Sequence, residues 1–299
     1  MRTMPARTNR RVVVSQAVLH ELYVTQKLTI EQIAARFGLS ATTIARRFAD
    51  VGIVARRRGP LPGMWPRVPL DCNGERQWTA ELAYAVGLIT TDGCLSQDGR
   101  RLTMTSKDFD LLETVQRCLG VTARITLSTN PAPCYRLQWG DVGFHRWLMD
   151  IGLMPAKSLR LGPLRVPDEW LRDFVRGCID GDGTIVTYTD RYNTFKNPSY
   201  VYTRLFVRIV SASPRFLVWL RARIRTLTGE SGSLTVRTAA STNDLWSLKY
   251  AKRESLAVLR WMYYAPDVPC LRRKRDIAAP FLTPQEQPRR RGPGRPMIV

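Results

Sequence analysis

At 299 residues the chain can hold two or three domains around a substantial core, and its 46 basic against 25 acidic residues leave a net charge of +21. A charge that large asks for a polyanionic partner, nucleic acid before membrane: no apolar run approaches the ~20 residues of a spanning helix, and Val12 to Val14 are too few for a signal peptide. The alternative is a merely solvated basic surface. Six cysteines, at 72, 94, 118, 134, 178 and 270, show no Cys-x-x-Cys pair and no histidines at zinc spacing, so they read as reduced thiols in a cytoplasm, and His20 and His145 as structural.

Residues 1 to 11 are Arg-rich and polar, the composition of a flexible arm. A helix is predicted through Ser15 to Val24. Thr29-Ile30-Glu31-Gln32 forms a capping box ahead of Ile33, Ala34 and Phe37, and Gly38 ends that second helix. Ser40 caps a third, in which Ile44 and Phe48 face inward while Thr42, Thr43, Arg46 and Arg47 face out. Residues 1–55 thereby resemble a helix-turn-helix reader of the DNA major groove, similar in pattern to the modules of resolvases and repressors. A small bundle used only for packing is the alternative.

From 56 to 74 the chain turns to Pro, Gly and Arg. This is a basic linker, whose Arg56 to Arg58 run either lies along phosphates or is simply solvated. The stretch 75–152 opens with an apolar helix through Leu82, Ala83, Val86 and Ile89 that stops at Asp92-Gly93. Cys94 to Ser96, the turn Gln97 to Arg100 and Arg101 to Thr105 then make a hairpin, Lys107 to Leu119 a helix, Ala123 to Ser128 and Tyr135 to Trp139 a second hairpin, and Phe144 to Ile151 a closing helix. The order is αββαββα.

After a Pro-rich connection at 153–167 the pattern repeats over 168–282. A helix over 168–181, with Trp170, Phe174 and Cys178 along one face, ends on Asp180-Gly181-Asp182-Gly183. Thr184 to Thr189, a polar tip from Asp190 to Ser199 and Tyr200 to Val210 follow, then a helix over Pro214 to Leu227, strands near Leu234 to Thr238 and Leu245 to Tyr250, and a helix over Ser255 to Tyr263. Arg101, Arg124, Arg136, Arg204, Arg208 and Arg237 would line an exposed basic saddle, where phosphate neutralisation supplies affinity and polar side chains reach base edges. Residues 283–299 form a basic tail; its Gly294-Arg295-Pro296 weakly resembles an AT-hook core, with plain disorder as the alternative.

Ala83, Gly87 and Gly177 allow the two Asp-Gly helices to cross closely, which brings Asp92 and Asp182 side by side. Two carboxylates at neighbouring helix C-termini repel one another and face two negative dipole ends. A hard divalent cation removes the objection, and the same arrangement activates water against a phosphodiester.

The paired motif, Ala85 to Gly93 and Val175 to Gly183, resembles the LAGLIDADG homing endonucleases, over about two thirds of the chain from Thr79 to Leu282. The resemblance implies an α+β fold: a pseudo-twofold pair of αββαββα halves behind a small all-α helix-turn-helix domain. It implies a metal-dependent, site-specific double-strand DNA endonuclease that leaves short 3′ overhangs, acts as a monomer on a long asymmetric duplex site, and is bacterial or phage-encoded. Metal, Mg²⁺ with Mn²⁺ as a substitute, would be held by Asp92 and Asp182, with Gly93 and Gly183 counted in the metal site. The earlier acidic position is kept as Asp180 but is Thr90 in the first copy. Ser106 and Lys107 match the loop position at which such enzymes carry polar or basic residues, Ala212 and Ser213 replace them in the second half, and Lys249, with Gln138 as its less capable counterpart, matches a strand that often offers a lysine, which makes it the candidate for stabilising the phosphate or organising water. Surface ion pairing is the alternative for Lys107 and Lys249. No splicing residues are seen, so an intein is not expected. A transcriptional regulator on the same fold is opposed by the two carboxylates; an RNA maturase remains open.

Overall fold

The structure, a computed structural model, describes residues 14–55, 68, 76–129, 132–239 and 242–282. The N-terminal arm up to residue 13, the Arg56 to Arg58 run and the tail with its Gly294-Arg295-Pro296 lie outside the described residues. The chain divides into two compact units, Met1–Pro62 and Gly63–Val299.

In the first unit, α1 (Gln16–His20) is capped by Ser15 and runs on as a π-helical turn, Glu21–Thr25. The capping box before α2 (Ile30–Phe37) forms in both directions: the Thr29 amide donates to Gln32 Oε1 at 2.8 Å, and the Gln32 amide to Thr29 Oγ1 at 3.2 Å. Gly38, at φ +61°, closes α2 in the left-handed conformation that glycine adopts without a steric penalty. Ser40 caps α3 (Ala41–Asp50). Leu19, Leu22, Tyr23, Ile33, Ile44 and Phe48 fill a core that belongs to this unit alone.

The second unit is α+β and duplicated. In its first half come α4 (Ala80–Asp92), β1 (Gly93–Leu95), β2 (Arg101–Ser106), α5 (Phe109–Leu119), β3 (Ile125–Ser128), β4 (Cys134–Gly140) and α6 (Val142–Asp150). Its second half carries α7 (Leu171–Asp180), β5 (Gly183–Asp190), β6 (Tyr202–Ser211), α8 (Pro214–Thr228), β7 (Ser233–Ala239), β8 (Thr242–Tyr250) and α9 (Lys252–Met262). Both sheets are antiparallel with the same order, β1-β2-β4-β3 and β5-β6-β8-β7. Leu102, Met104, Leu137 and Trp139 of one sheet, and Leu205, Val207, Ile209 and Leu248 of the other, join one continuous core.

Three features depart from the sequence reading. First, α4 and α7 are buried on nearly all sides, not along one face, because each crosses the other and also carries its own sheet and a further helix. Second, the stretch 168–170 is a 3₁₀ turn, and α7 ends at Asp180, two residues before Asp182. Third, a helix that sequence patterning missed, α10 (Arg272–Leu282), packs on α9 and β5. Val68, within the expected linker, is buried in the second unit's core, and its amide donates to Asp141 Oδ2 at 3.1 Å.

Gly87 and Gly177 make the crossing possible. A Cβ on Gly87 would stand 2.1 Å from the Phe174 carbonyl oxygen, and one on Gly177 would stand 2.2 Å from that of Tyr84. Both obstacles are backbone, which cannot swing aside. Gly87→Ala is therefore expected to cost more than about 3 kcal/mol by forcing the helices apart; a thermal midpoint unchanged from that of the parent chain would refute so tight a crossing.

Candidate metal and nucleic-acid site

Each motif helix ends where the chain must double back into the first strand of its sheet, and the glycine after the aspartate permits it. A Cβ on Gly93 would lie 2.6 Å from the Ile89 carbonyl oxygen, and one on Gly183 would lie 2.5 Å from Ile179 Cα. Asp92 and Asp182 are thus delivered beside the helix crossing. An added Cβ on Gly181 would come within 3.3 Å of Asp92 Oδ2, which sets the first carboxylate against the second motif's final turn.

Asp92 is half-buried, whereas Asp182 is the more exposed of the two. Burial, and after it the Asp182 carboxylate, push Asp92 up to about 6. Burial also raises Asp182, against the pull of Lys157 and Lys274. Two partly desolvated like charges make a site that a hard cation stabilises. Among the described residues no group of three or more His, Cys, Asp or Glu side chains gathers around a point. An ion between Asp92 and Asp182 would take its remaining ligands from water and phosphate, as Mg²⁺ does.

Two lysines that sequence reasoning passed over complete the helix ends. Lys274 Nζ, from the first turn of α10, donates to the carbonyls of Ile179 and Asp180, both at 2.7 Å, and of Gly183 at 2.8 Å, with Gly181 at 3.1 Å. Lys157 Nζ does the same for the first motif through the carbonyls of Gly93 and Thr91. These ammoniums meet orphan carbonyls at the negative dipole ends. The carbonyls of Gly93 and Gly183, expected beside the metal, are thereby engaged, and an ion at the same oxygens would meet a like charge. That leaves the two carboxylates as the candidate ligands. The available signal was a lysine shortly after each half's closing helix.

Asp180 lies apart from this pair. It is 2% exposed and accepts from Tyr84 Oη at 2.9 Å and from the Leu271 amide at 2.7 Å, so it ties both motif helices to α10. Thr90 fills the equivalent place by donating to the Val86 carbonyl at 2.7 Å. His145 is structural as expected, its Nε2 at 2.9 Å from the Ser96 carbonyl.

Strand register locates the remaining candidates. Gly93 pairs with Met104 and Met104 with Leu137; Gly183 pairs with Ile209 and Ile209 with Leu248. Gln138 and Lys249 are therefore true counterparts. One step from the glycine, on the outer face, Thr103 stands opposite Gln138 in the first sheet and Arg208 opposite Lys249 in the second. Gln138 Nε2 donates to Thr103 Oγ1 at 3.0 Å, whereas Arg208 and Lys249 juxtapose two cations. Directly opposed like charges destabilise a sheet unless an anion sits between them. Lys249 Nζ is held 3.8 Å from the centre of the Phe206 ring.

The loop correspondence shifts by one residue. The Asp108 amide donates to Ser106 Oγ and the Ser213 amide to Ser211 Oγ, each at 3.1 Å, so Ser106 matches Ser211 and Lys107 matches Ala212. Lys107 is exposed beside this turn. Arg101, Arg136, Arg204, Arg208 and Arg237 all stand exposed on the outer sheet faces; Arg124 is exposed just before β3. Two of them carry acidic partners, Arg101 with Asp98 at 3.5 Å and Arg204 with Asp190 at 2.7 Å. In α3, Thr42 and Arg46 are exposed, while Arg47 is half-buried and the Thr43 hydroxyl is engaged with Ser40 Oγ at 2.8 Å.

No family model and no curated protein matches this chain. Solved structures are similar to it at low identity. The full-length DUF199/WhiA protein from Thermatoga maritima is 12% identical, with 69% of this chain and 62% of that one covered and a TM-score of 0.43. The I-LtrWI LAGLIDADG homing endonuclease bound to target DNA is 12% identical, with 68% and 89% covered and a TM-score of 0.45. I-DmoI in complex with DNA and Ca is 15% identical, with 67% and 96% covered and a TM-score of 0.43. This chain thus spans 62% of the WhiA protein's length.

Proposed function

We propose that this protein is a site-specific double-strand DNA endonuclease in which Asp92 and Asp182 hold divalent metal, Mg²⁺ or in its place Mn²⁺, against the scissile phosphates. The observation that carries the reading is the pair of carboxylates delivered by two crossing helices to the rim of two exposed basic sheets. A metal bound there would supply a Lewis acid and a lowered pKa for its water. The chain's own residues position the duplex: Arg101, Arg136, Arg204, Arg208 and Arg237 neutralise phosphates, and neighbouring polar side chains reach base edges. Because the two sheet faces differ residue by residue, the duplex site is long and asymmetric, and one chain suffices as a monomer. The test is a cleavage-site selection on randomised and genomic DNA with Mg²⁺, with a chelator as control. Sequence-specific cutting supports the reading; specific binding without cutting in Mg²⁺ or Mn²⁺ would replace it with a non-cleaving DNA-binding protein.

In this reading Lys249 is the cation beside one scissile phosphate, placed by the Phe206 ring and next to Arg208. A preorganised donor stabilises charge that grows in the transition state, so Lys249→Ala is expected to slow one strand's cleavage by ~10² to 10³ with a smaller loss of affinity. Gln138→Ala should do less, since its amide carries no charge. Strand-resolved kinetics on an end-labelled duplex decides: equal rates on both strands would return Lys249 to the status of a surface lysine.

The N-terminal unit adds affinity without chemistry. Thr42, Thr43, Arg46 and Arg47 on α3 would face the major groove. A chain beginning at Gly63, which keeps Val68 in its core, is expected to cut still, but to bind more weakly and with a shallower salt dependence, by about 0.9 in log–log slope per lost phosphate contact. An unchanged slope would assign the unit another task.

A further inference from the structure

The two halves differ most where the second hairpin outgrows the first. β1 is three residues long and β5 is eight; β6 pairs with β8 only from Val207 onward, so Tyr202 to Phe206 pair with β5 alone. The result is a two-stranded ribbon that continues beyond the four-stranded sheet. Such a ribbon is marginal by itself, and this one is braced by the Asp190–Arg204 pair and by stacking of Tyr188 on Phe206 at 6.2 Å.

Its outer face is unlike that of the first sheet. Register places Val186, Tyr188, Tyr202, Arg204, Phe206 and Arg208 on one side, where the first sheet presents Arg101, Thr103, Thr105, Arg136 and Gln138. Tyr188 is 50% exposed and Tyr202 46% exposed, and in the tip beyond them Tyr192 and Phe195 are 81% and 74% exposed. Cations are interleaved with these rings: Arg204 lies 5.7 Å from the Tyr202 centre and Lys196 5.5 Å from that of Phe195. The one acid of the ribbon, Asp190, is taken up by Arg204 and by the Tyr192 amide.

Exposed rings among cations fit a polyanion that offers flat π-faces. In a paired duplex those faces are covered by neighbouring bases and only edges reach the groove, which rewards hydrogen-bonding side chains. Aromatic side chains on an antiparallel sheet stack on bases that have been unpaired.

We propose that the outer face of the β5–β6 ribbon is a nucleobase-stacking platform for an unpaired stretch of nucleic acid, with Tyr188 and Tyr202 as the stacking rings and Arg204, Arg208 and Lys249 pairing with its phosphates. This deepens the DNA-binding reading of the same sheet by naming a second form of ligand. Unpaired DNA and RNA share the chemistry, and the probes separate them.

The full chain is titrated, by fluorescence anisotropy, into labelled oligo(dT) and oligo(U) of about 16 nucleotides and into a mixed-sequence duplex. Tyr188→Ala and Tyr202→Ala are each expected to weaken the single strands about tenfold and the duplex by less than about twofold, while Tyr188→Phe keeps parental affinity. A loss confined to oligo(dT) or to oligo(U) supports the platform and identifies which of the two strands it takes. Three outcomes overturn it: unchanged single-strand affinity in both alanine variants, an equal loss on the duplex, or full affinity in Tyr188→Leu, which keeps apolar area without a ring. Loss of the platform with duplex binding intact leaves the endonuclease reading standing. Absence of duplex binding, with ring-dependent binding of oligo(dT), would do the reverse.

Discussion

Asp92→Asn and Asp182→Asn are each expected to abolish DNA cleavage while leaving duplex affinity near that of the parent chain. Asp92 closes α4 and Asp182 lies two residues beyond the end of α7, and neither belongs to the outward rows of the sheets. Removing a metal ligand takes away both the Lewis acid and the activated water, a loss on the order of 10³-fold or more in rate. The same substitutions should stabilise the metal-free fold. An acid whose folded pKa lies above its unfolded value destabilises the native state once ionised, and the penalty grows as pH rises from the ordinary carboxylate range up to about 6, where Asp92 titrates, and is complete above it. In chelator at about pH 7.5, Asp92→Asn is expected to gain about 1–3 kcal/mol, a few degrees in Tm, and to lose that gain below about pH 4. A cleavage assay, a binding titration and a pH series of melts measure the three effects. Full cutting by either variant would remove that carboxylate from the metal site, and a lower Tm for Asp92→Asn would show that its burial is better compensated than the geometry indicates.

The largest effect on stability is expected at Lys274. Its side chain is nearly inaccessible, and its three N–H donors serve the carbonyls of Ile179, Asp180 and Gly183, with that of Gly181 also within reach, while its charge counters the buried Asp180. Burial lowers its pKa, and Asp180 pulls it back up. Lys274→Met keeps most of the volume but leaves those carbonyls without their donor and removes a nearby positive charge from the buried Asp180. A cost of about 3–5 kcal/mol follows, roughly 10 °C in Tm for a unit of this size. Lys157→Met, which strips two carbonyls, should cost less, and the exposed Arg272→Met almost nothing. If Lys274→Met melts within about 2 °C of the parent, water replaces the ammonium at the helix end and the clamp is dispensable. Arg273, beside it, makes a bidentate pair with Asp108 of the first half at 2.8 to 3.1 Å, so the N-terminal end of α10 fastens both halves near the site.

The sequence by itself determined whatever depends on near neighbours along the chain. The Thr29–Gln32 box, the Ser40 cap, the stop at Gly38 and the hairpin turn at Gln97 to Arg100 are satisfied within a few residues, so their spacing is their cause. Duplication carried the rest of the architecture: two Asp-Gly helix ends followed by the same run of elements were enough for two αββαββα halves and for the glycine-lined crossing. Only the tertiary structure decided what those ends meet. The lysines that clamp them come from 64 and 91 residues downstream, out of Arg- and Pro-rich surroundings whose polarity hides α10 from a periodicity search. Asp180 looked like a symmetry variant of Thr90 and proves to be a buried tether, because its partners Tyr84 and Leu271 are local to it only in space. The one-residue shift that matches Ser106 to Ser211 has a related origin: the serine turns before α5 and α8 are local, but which turn answers which is set by strand pairing, a long-range contact that residue spacing alone does not encode.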